Sequence, residues 1–152
     1  MTVLLTIAIF SACTKESTTP PVTTPTPLTR SQVLAKYTWQ LDEVWTNVNA
    51  TGTNKHYVRN GVNTTGVSYE KMRLTFKVDS TGSYTDETGV YHATTWKFTS
   101  ADQHNLLLNV GAPYPISFTW TMLEISDSTI TALSPVGTNG LVSARYVTMD
   151  AK

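Results

Sequence analysis

The amino-acid sequence predicts an all-β protein, an antiparallel up-and-down barrel of eight to nine strands with one short N-terminal helix. Segments that alternate apolar and polar residues recur along the chain, as half-buried strands do. Short turn sequences separate these segments, which favours consecutive antiparallel hairpins. The 28 threonines among 152 residues add a β-branched bias toward strands. Strands with one apolar face each bury that face best by closing into a barrel, which also removes exposed edges.

The helix is predicted at the start of the globular part, where Thr29 and Gln32 have the spacing of a capping box. The helix must be short because the strand pattern begins by Trp39. A hairpin excursion or a loop over the barrel mouth is expected between Thr46 and Ser68, with a short strand at Tyr57-Val58.

The clearest strand runs from Lys71 to Val78, where apolar and polar residues alternate without interruption. The same period recurs from Ile116 to Met122, after which the apolar positions change parity at Leu123. We therefore expect a β-bulge near Met122. Further strands are predicted around Trp96, from Leu106 to Val110, from Ile130 to Leu133 and from Leu141 to Met149.

The N-terminal residues predict export rather than a membrane span. Residues 1–12 contain an apolar, uncharged run that is about half the length a transmembrane helix needs and is typical of a secretory signal peptide. Residues 13–28 contain four prolines and many threonines, a composition that stays extended and solvated. Residues 29–152 form the predicted barrel domain.

The residues Phe10-Ser11-Ala12-Cys13 resemble the lipobox of bacterial lipoproteins. The resemblance implies that Cys13 carries lipid and that residues 13–28 tether the domain to a membrane. It implies an outer-membrane lipoprotein, on the periplasmic face or at the cell surface. Because Cys13 is the only cysteine, a disulfide framework and a thiolate metal cluster are excluded.

Three short motifs resemble the lipocalin-like domains of Gram-negative lipoproteins. They are Tyr37-Thr38-Trp39 on the first strand, Leu74-Thr75-Phe76 followed by Gly82-Ser83-Tyr84, and Trp96-Lys97-Phe98. The first departs from the family pattern, since Tyr37 stands where glycine is usual. The match covers roughly residues 30–150 and implies a lipocalin-like barrel. It also implies that Arg145, in the last strand, stacks on Trp39; alternatively, Arg145 points into water.

The candidate ligand-binding residues are those predicted to face the barrel interior: Trp39, Glu43, Phe76, Trp96, Phe98, Trp120 and Arg145. The aromatic side chains either line a pocket or fill the barrel, which is only just wide enough for its own side chains. Strand parity places Glu43 inside, where it would orient a ligand; alternatively, the strand bulges or leaves the barrel before Glu43.

No catalytic motif is present, and neither a cofactor nor a metal site is expected. The histidines (His56, His92, His104) are isolated in sequence. Asp42 and Glu43, like Asp86 and Glu87, are adjacent and should face opposite sides of a strand. The formal net charge of zero argues against nucleic-acid binding.

These observations predict a non-enzymatic, membrane-tethered lipoprotein whose barrel binds a small apolar or amphipathic ligand. The alternative is a structural or interaction lipoprotein with a filled barrel, whose loops contact a protein or glycan partner.

Overall fold

The computed structural model describes residues 26–46, 54–113, 115–136 and 140–149. The predicted signal peptide, Cys13 and most of the predicted tether lie outside these residues. Helix α1 (Arg30–Lys36) opens the described domain, and the predicted capping box is confirmed. The backbone N–H of Thr29 donates to Gln32 Oε1 at 2.8 Å, and that of Gln32 donates to Thr29 Oγ1 at 3.3 Å.

The all-β fold is confirmed, with nine strands in the part of the chain that the structure describes. They are β1 (Thr38–Thr46), β2 (Asn54–Val58), β3 (Arg73–Phe76), β4 (Thr81–Thr85), β5 (Tyr91–Phe98), β6 (Leu106–Val110), β7 (Ile116–Ile125), β8 (Thr129–Val136) and β9 (Gly140–Thr148). Every pairing between them is antiparallel.

Hydrogen bonds between β1 and β9 close eight of these strands into a ring. Strands β3 to β9 pair in chain order, and β1 joins both β3 and β9. Strand β2 lies outside this ring and pairs with the C-terminal half of β1, beyond Gln40, the last residue of β1 that pairs with β3. The predicted strand at Tyr57-Val58 is therefore part of β2.

Two irregularities among the strands of the ring change the direction of side chains; a third lies in the pairing of β1 with β2, between Val44 and Trp45. The pairing of β7 with β8 shifts between Thr121 and Glu124, which confirms the predicted bulge and leaves Leu123 fully buried. The pairing of β1 with β9 also shifts, between Leu41 and Glu43. A bulge adds one residue to one strand and reverses the parity beyond it.

Helix α1 covers one end of the barrel, which we call the helix end. It packs against β3 and β7, and its residue Leu34 is fully buried. The Trp39 indole N–H donates to the Leu34 carbonyl at 2.9 Å, which joins the helix to the start of β1. We call the opposite end the mouth; it carries the turns β4–β5 and β6–β7.

Candidate ligand-binding cavity

A cavity of about 500 Å³ extends from the mouth into the barrel. The side chains around it are almost all apolar or aromatic and include Val44, Met72, Phe118, Trp120, Ala144 and Tyr146. None of the described residues that line it is charged. We call this space the main cavity. Its size and apolar wall are those of a small-molecule site.

Of the predicted interior aromatic residues, Trp120 reaches the main cavity. It is 4% exposed and lies with its ring centroid 5.4 Å from that of Tyr146, another lining residue. Burial raises the pKa of Tyr146, so its phenol stays protonated. Trp120 and Tyr146 therefore offer a ligand apolar surface without charge.

The other predicted aromatic residues pack among themselves nearer the helix end. Phe76 and Trp96 meet edge to face at 5.6 Å, as do Trp96 and Phe98. The indole N–H of Trp96 donates to the carbonyls of Lys77 and Thr81, both at 3.1 Å. Trp39 is likewise fully buried and hydrogen-bonded to the helix. The interior is thus filled at the helix end and open at the mouth.

Arg145 does not stack on Trp39, and that prediction is wrong. Its guanidinium donates to Asp42 Oδ2 at 2.6 Å and to Glu43 Oε1 at 2.7 Å. Its neighbours in sequence, Ala144 and Tyr146, line the main cavity, so Arg145 points to the outer face of the barrel. Lys36 Nζ lies 5.0 Å from the ring centroid of Tyr37, which meets Trp39 edge to face with centroids 5.7 Å apart.

Glu43 also lies on the outer face, so the prediction that it faces the interior is wrong. The bulge after Leu41 reverses the parity, and Val44 rather than Glu43 reaches the cavity. Besides Arg145, the Glu43 carboxylate pairs with Lys55 at 3.3 Å. The alternative expectation, that the strand bulges before Glu43, is confirmed.

The same bulge overturns the expectation that Asp42 and Glu43 face opposite sides. Both carboxylates bind one guanidinium nitrogen of Arg145. Asp42 additionally accepts from Arg59 Nε at 3.2 Å. Two acidic and three basic residues therefore form one ion-pair network on the outer wall, away from the cavity.

A second space, of about 530 Å³, adjoins the main cavity at the turns β4–β5 and β6–β7. We call it the side chamber. Tyr84 and Phe118 line both spaces, with ring centroids 6.4 Å apart. Asp86 and Glu87 both border the side chamber. They do not face opposite sides as expected, because β4 ends at Thr85 and the chain turns there.

The side chamber contains a histidine–carboxylate pair that the sequence did not predict. His92 Nε2 lies 2.9 Å from Asp86 Oδ2, and the His92 side chain is only 6% exposed. The other carboxylate oxygen, Asp86 Oδ1, accepts from the backbone N–H and hydroxyl of Thr88 at 2.9 and 2.7 Å, and from the backbone of Val90 at 2.9 Å. The bond to His92 foremost, then that to the Thr88 hydroxyl, hold the pKa of Asp86 far below its usual value.

Tyr84 covers this pair from the cavity side. Its ring stacks on the His92 imidazole with centroids 5.8 Å apart and planes 26° apart. Burial, and secondarily the charges of Glu87 and Asp86, raise the pKa of Tyr84 to about 12. A neutral phenol therefore stands where the two spaces meet.

Strand parity could have indicated that His92 faces the interior, although no other potential ligand lies near it in the sequence. Trp96 faces inward, so positions 94 and 92 of the same strand must face inward too. Asp86 could not be placed in the same way, because its contact depends on the turn between β4 and β5. The remaining histidines contact polar atoms elsewhere: His56 pairs with Thr46 at 2.7 Å, and His104 with the Leu123 carbonyl at 3.1 Å.

The described residues contain no group of three potential metal ligands and no helix long and apolar enough to cross a bilayer. Among known proteins, the chain matches no family model, and no curated protein or solved structure is significantly similar to it.

Proposed function

We propose that this protein is a membrane-tethered, lipocalin-like lipoprotein whose barrel binds a small apolar or amphipathic molecule without catalysing a reaction. Its proposed location is the outer membrane, on the periplasmic face or at the cell surface. The observation that carries the binding function is the main cavity, about 500 Å³ of mainly apolar surface at the mouth. The lipobox at Cys13 and the Pro/Thr-rich segment after it support the membrane tether.

Two features favour binding over the alternative of a filled barrel. Large side chains fill the barrel at the helix end, but at the mouth the lining residues include small ones such as Ala144 and Val142. The charged network of Arg145 and Asp42 lies outside, so the cavity wall is not used for ion pairs. An apolar ligand would lose its contact with water there at little polar cost.

The test is fluorescence titration with N-phenyl-1-naphthylamine, an uncharged apolar dye whose emission rises in apolar surroundings. We expect saturable binding of one dye per protein. Ala144→Phe should weaken this binding at least about tenfold, because the added ring occupies the cavity. The matched control is Ala93→Phe, since Ala93 lies on an exposed position of β5.

The two proposals for the barrel give different results. Dye binding that Ala144→Phe abolishes and Ala93→Phe leaves intact supports the cavity as the site. Equal binding by both variants would place the dye elsewhere and remove the cavity argument. A folded protein that binds no dye would favour the alternative, an interaction lipoprotein that contacts a protein or glycan through its loops.

A further inference from the structure

The imidazole of His92 has one nitrogen without a hydrogen-bond partner. Nδ1 is buried and unpaired, whereas Nε2 is held by Asp86 at 2.9 Å. Buried polar atoms in proteins are almost always paired, so an unpaired one on a side chain that lines a cavity indicates a group with which a ligand can pair once a neighbouring side chain moves. His92 lines the side chamber, where the side chain is more than nine-tenths buried.

The hydrogen-bond pattern fixes which nitrogen carries hydrogen. Asp86 is ionised and can only accept, and its Oδ1 is already occupied by Thr88 and Val90. His92 Nε2 must therefore donate to Asp86 Oδ2. In a neutral imidazole this leaves a lone pair on Nδ1, which is an acceptor and requires a donor from the ligand.

The charges around the side chamber disfavour an anionic ligand. Asp86 and Glu87 both border it, and His92 is the only basic residue among the described residues that line it. The nearest lysine contact is that of Lys71 Nζ, which binds the Thr88 carbonyl at 3.3 Å. A carboxylate ligand would face two like charges and bring no donor, whereas a neutral hydroxyl brings a donor without charge.

Most other residues of the side chamber are apolar, and two of them also line the main cavity. Val90, Val110, Pro113, Ile116 and Phe118 line the side chamber. Tyr84 and Phe118 stand between the two spaces, so a ligand that extends from one into the other must pass these two rings. Nδ1 makes no solvent contact, so a hydroxyl reaches it only after a wall side chain moves; Tyr84, stacked on the imidazole, is placed to do so.

We infer that the side chamber recognises a neutral amphipathic alcohol: its hydroxyl donates to Nδ1 of His92, and its apolar chain passes Tyr84 and Phe118 into the main cavity. This inference rests on the proposed binding function and names the chemical class of its ligand. Asp86 is a positioning residue, because it fixes the tautomer of His92 without contacting the ligand.

The experiment compares three competitors with the same ten-carbon chain for displacement of N-phenyl-1-naphthylamine. They are 1-decanol, its methyl ether, which has no donor, and decanoate, which is charged. We expect 1-decanol to displace the dye at about five- to tenfold lower concentration than either other compound, the range of one net hydrogen bond. In His92→Phe, which keeps a ring but lacks Nδ1, the alcohol should lose its advantage over the ether.

His104→Phe is the matched control, since His104 lies in the turn before β6 at the helix end, and the preference for alcohol should persist in it. His92→Leu, which has no polar side-chain atom, serves as a second variant if His92→Phe does not fold. Equal displacement by alcohol and ether, stronger displacement by decanoate, or a preference that survives in both His92 variants would overturn the inference while dye binding stands. A wild-type protein that binds no dye would overturn the proposed function as well.

Discussion

At the scale of single residues, the carboxylate of Asp86 is held by hydrogen bonds to both of its oxygens. Four donors surround it: two from Thr88, one from Val90 and one from His92. All four favour the ionised form, which is why the pKa of Asp86 lies far below its usual value. Asp86 therefore both shapes the β4–β5 turn and orients the imidazole of His92.

This constraint makes stability depend on pH in a defined direction. Because the pKa of Asp86 is lower in the folded chain than in the unfolded chain, its stabilising effect is complete above about pH 4 and is lost progressively in more acidic solution. Asp86→Asn keeps an acceptor for the turn but cannot ionise. We expect the urea midpoint of the wild type to fall further between about pH 7 and pH 3 than that of Asp86→Asn.

Asp127→Asn provides the comparison for this prediction, because Asp127 is exposed in the β7–β8 turn. Its urea midpoint should follow the wild-type pH dependence. If Asp86→Asn shows that same dependence, the carboxylate does not contribute as argued.

The side of the sheet that a residue faces could be predicted from the sequence where apolar and polar residues alternate without a break. It could not be predicted beyond the bulge in β1. Trp39, Phe76, Trp96 and Trp120 face the core as their alternation indicates. Glu43 does not, because one extra residue in β1 reverses the alternation there. Arg145 does not either, because its neighbours Ala144 and Tyr146 take the inward positions of β9. A bulge leaves little trace in a polar stretch such as Asp42-Glu43, whereas at Leu123 the apolar residues themselves showed the change.

At the scale of elements, the β3–β4 hairpin depends on a close backbone contact at Gly82. Gly82 pairs with Phe76, and a Cβ atom placed on it would lie 2.2 Å from the carbonyl oxygen of Thr75. It would also lie 3.0 Å from Thr94 Oγ1. A contact of 2.2 Å with backbone cannot be relieved by rotating a side chain, so the hairpin itself would have to move.

We therefore expect Gly82→Ala to lower the free energy of unfolding by about 2–3 kcal/mol, the cost of forcing extra volume into a packed site. Gly61→Ala is the control, because its nearest contact is the Val58 side chain at 3.4 Å. Urea denaturation of both variants measures the difference. A Gly82→Ala protein as stable as Gly61→Ala would show that the hairpin adjusts freely.

The elements themselves were largely predictable because their signals are local. The capping box at Thr29, the turns and the strand period each depend on a few neighbouring residues. The partner of β2 was not predictable, since β2 pairs with the part of β1 that β3 leaves unpaired rather than taking its own place in the ring. The place where β2 pairs depends on the geometry of ring closure and on the length of the chain that connects β2 to the ring.

At the scale of the whole molecule, the two ends of the barrel differ in packing. Helix α1 and the aromatic cluster around Phe76 and Trp96 fill one end, and the cavities occupy the other. The sequence supplied the aromatic residues but not their positions along the barrel axis, which depend on how neighbouring strands are staggered. A ligand would therefore enter opposite the helix, the element to which the N-terminal segment connects.

This polarity suits a domain held by its N-terminus, because a tether attached at the helix end leaves the mouth free. The proposed anchor is lipid on Cys13, and acyl chains bind bilayers in proportion to their buried methylene groups. We expect Cys13→Ala in the full chain to move the protein from the membrane fraction to the soluble fraction. Thr18→Ala, in the same segment, should leave it membrane-bound. If Cys13→Ala stays with the membrane after a high-salt wash, the attachment comes from another part of the chain, and the tether argument fails even if the barrel binds its ligand.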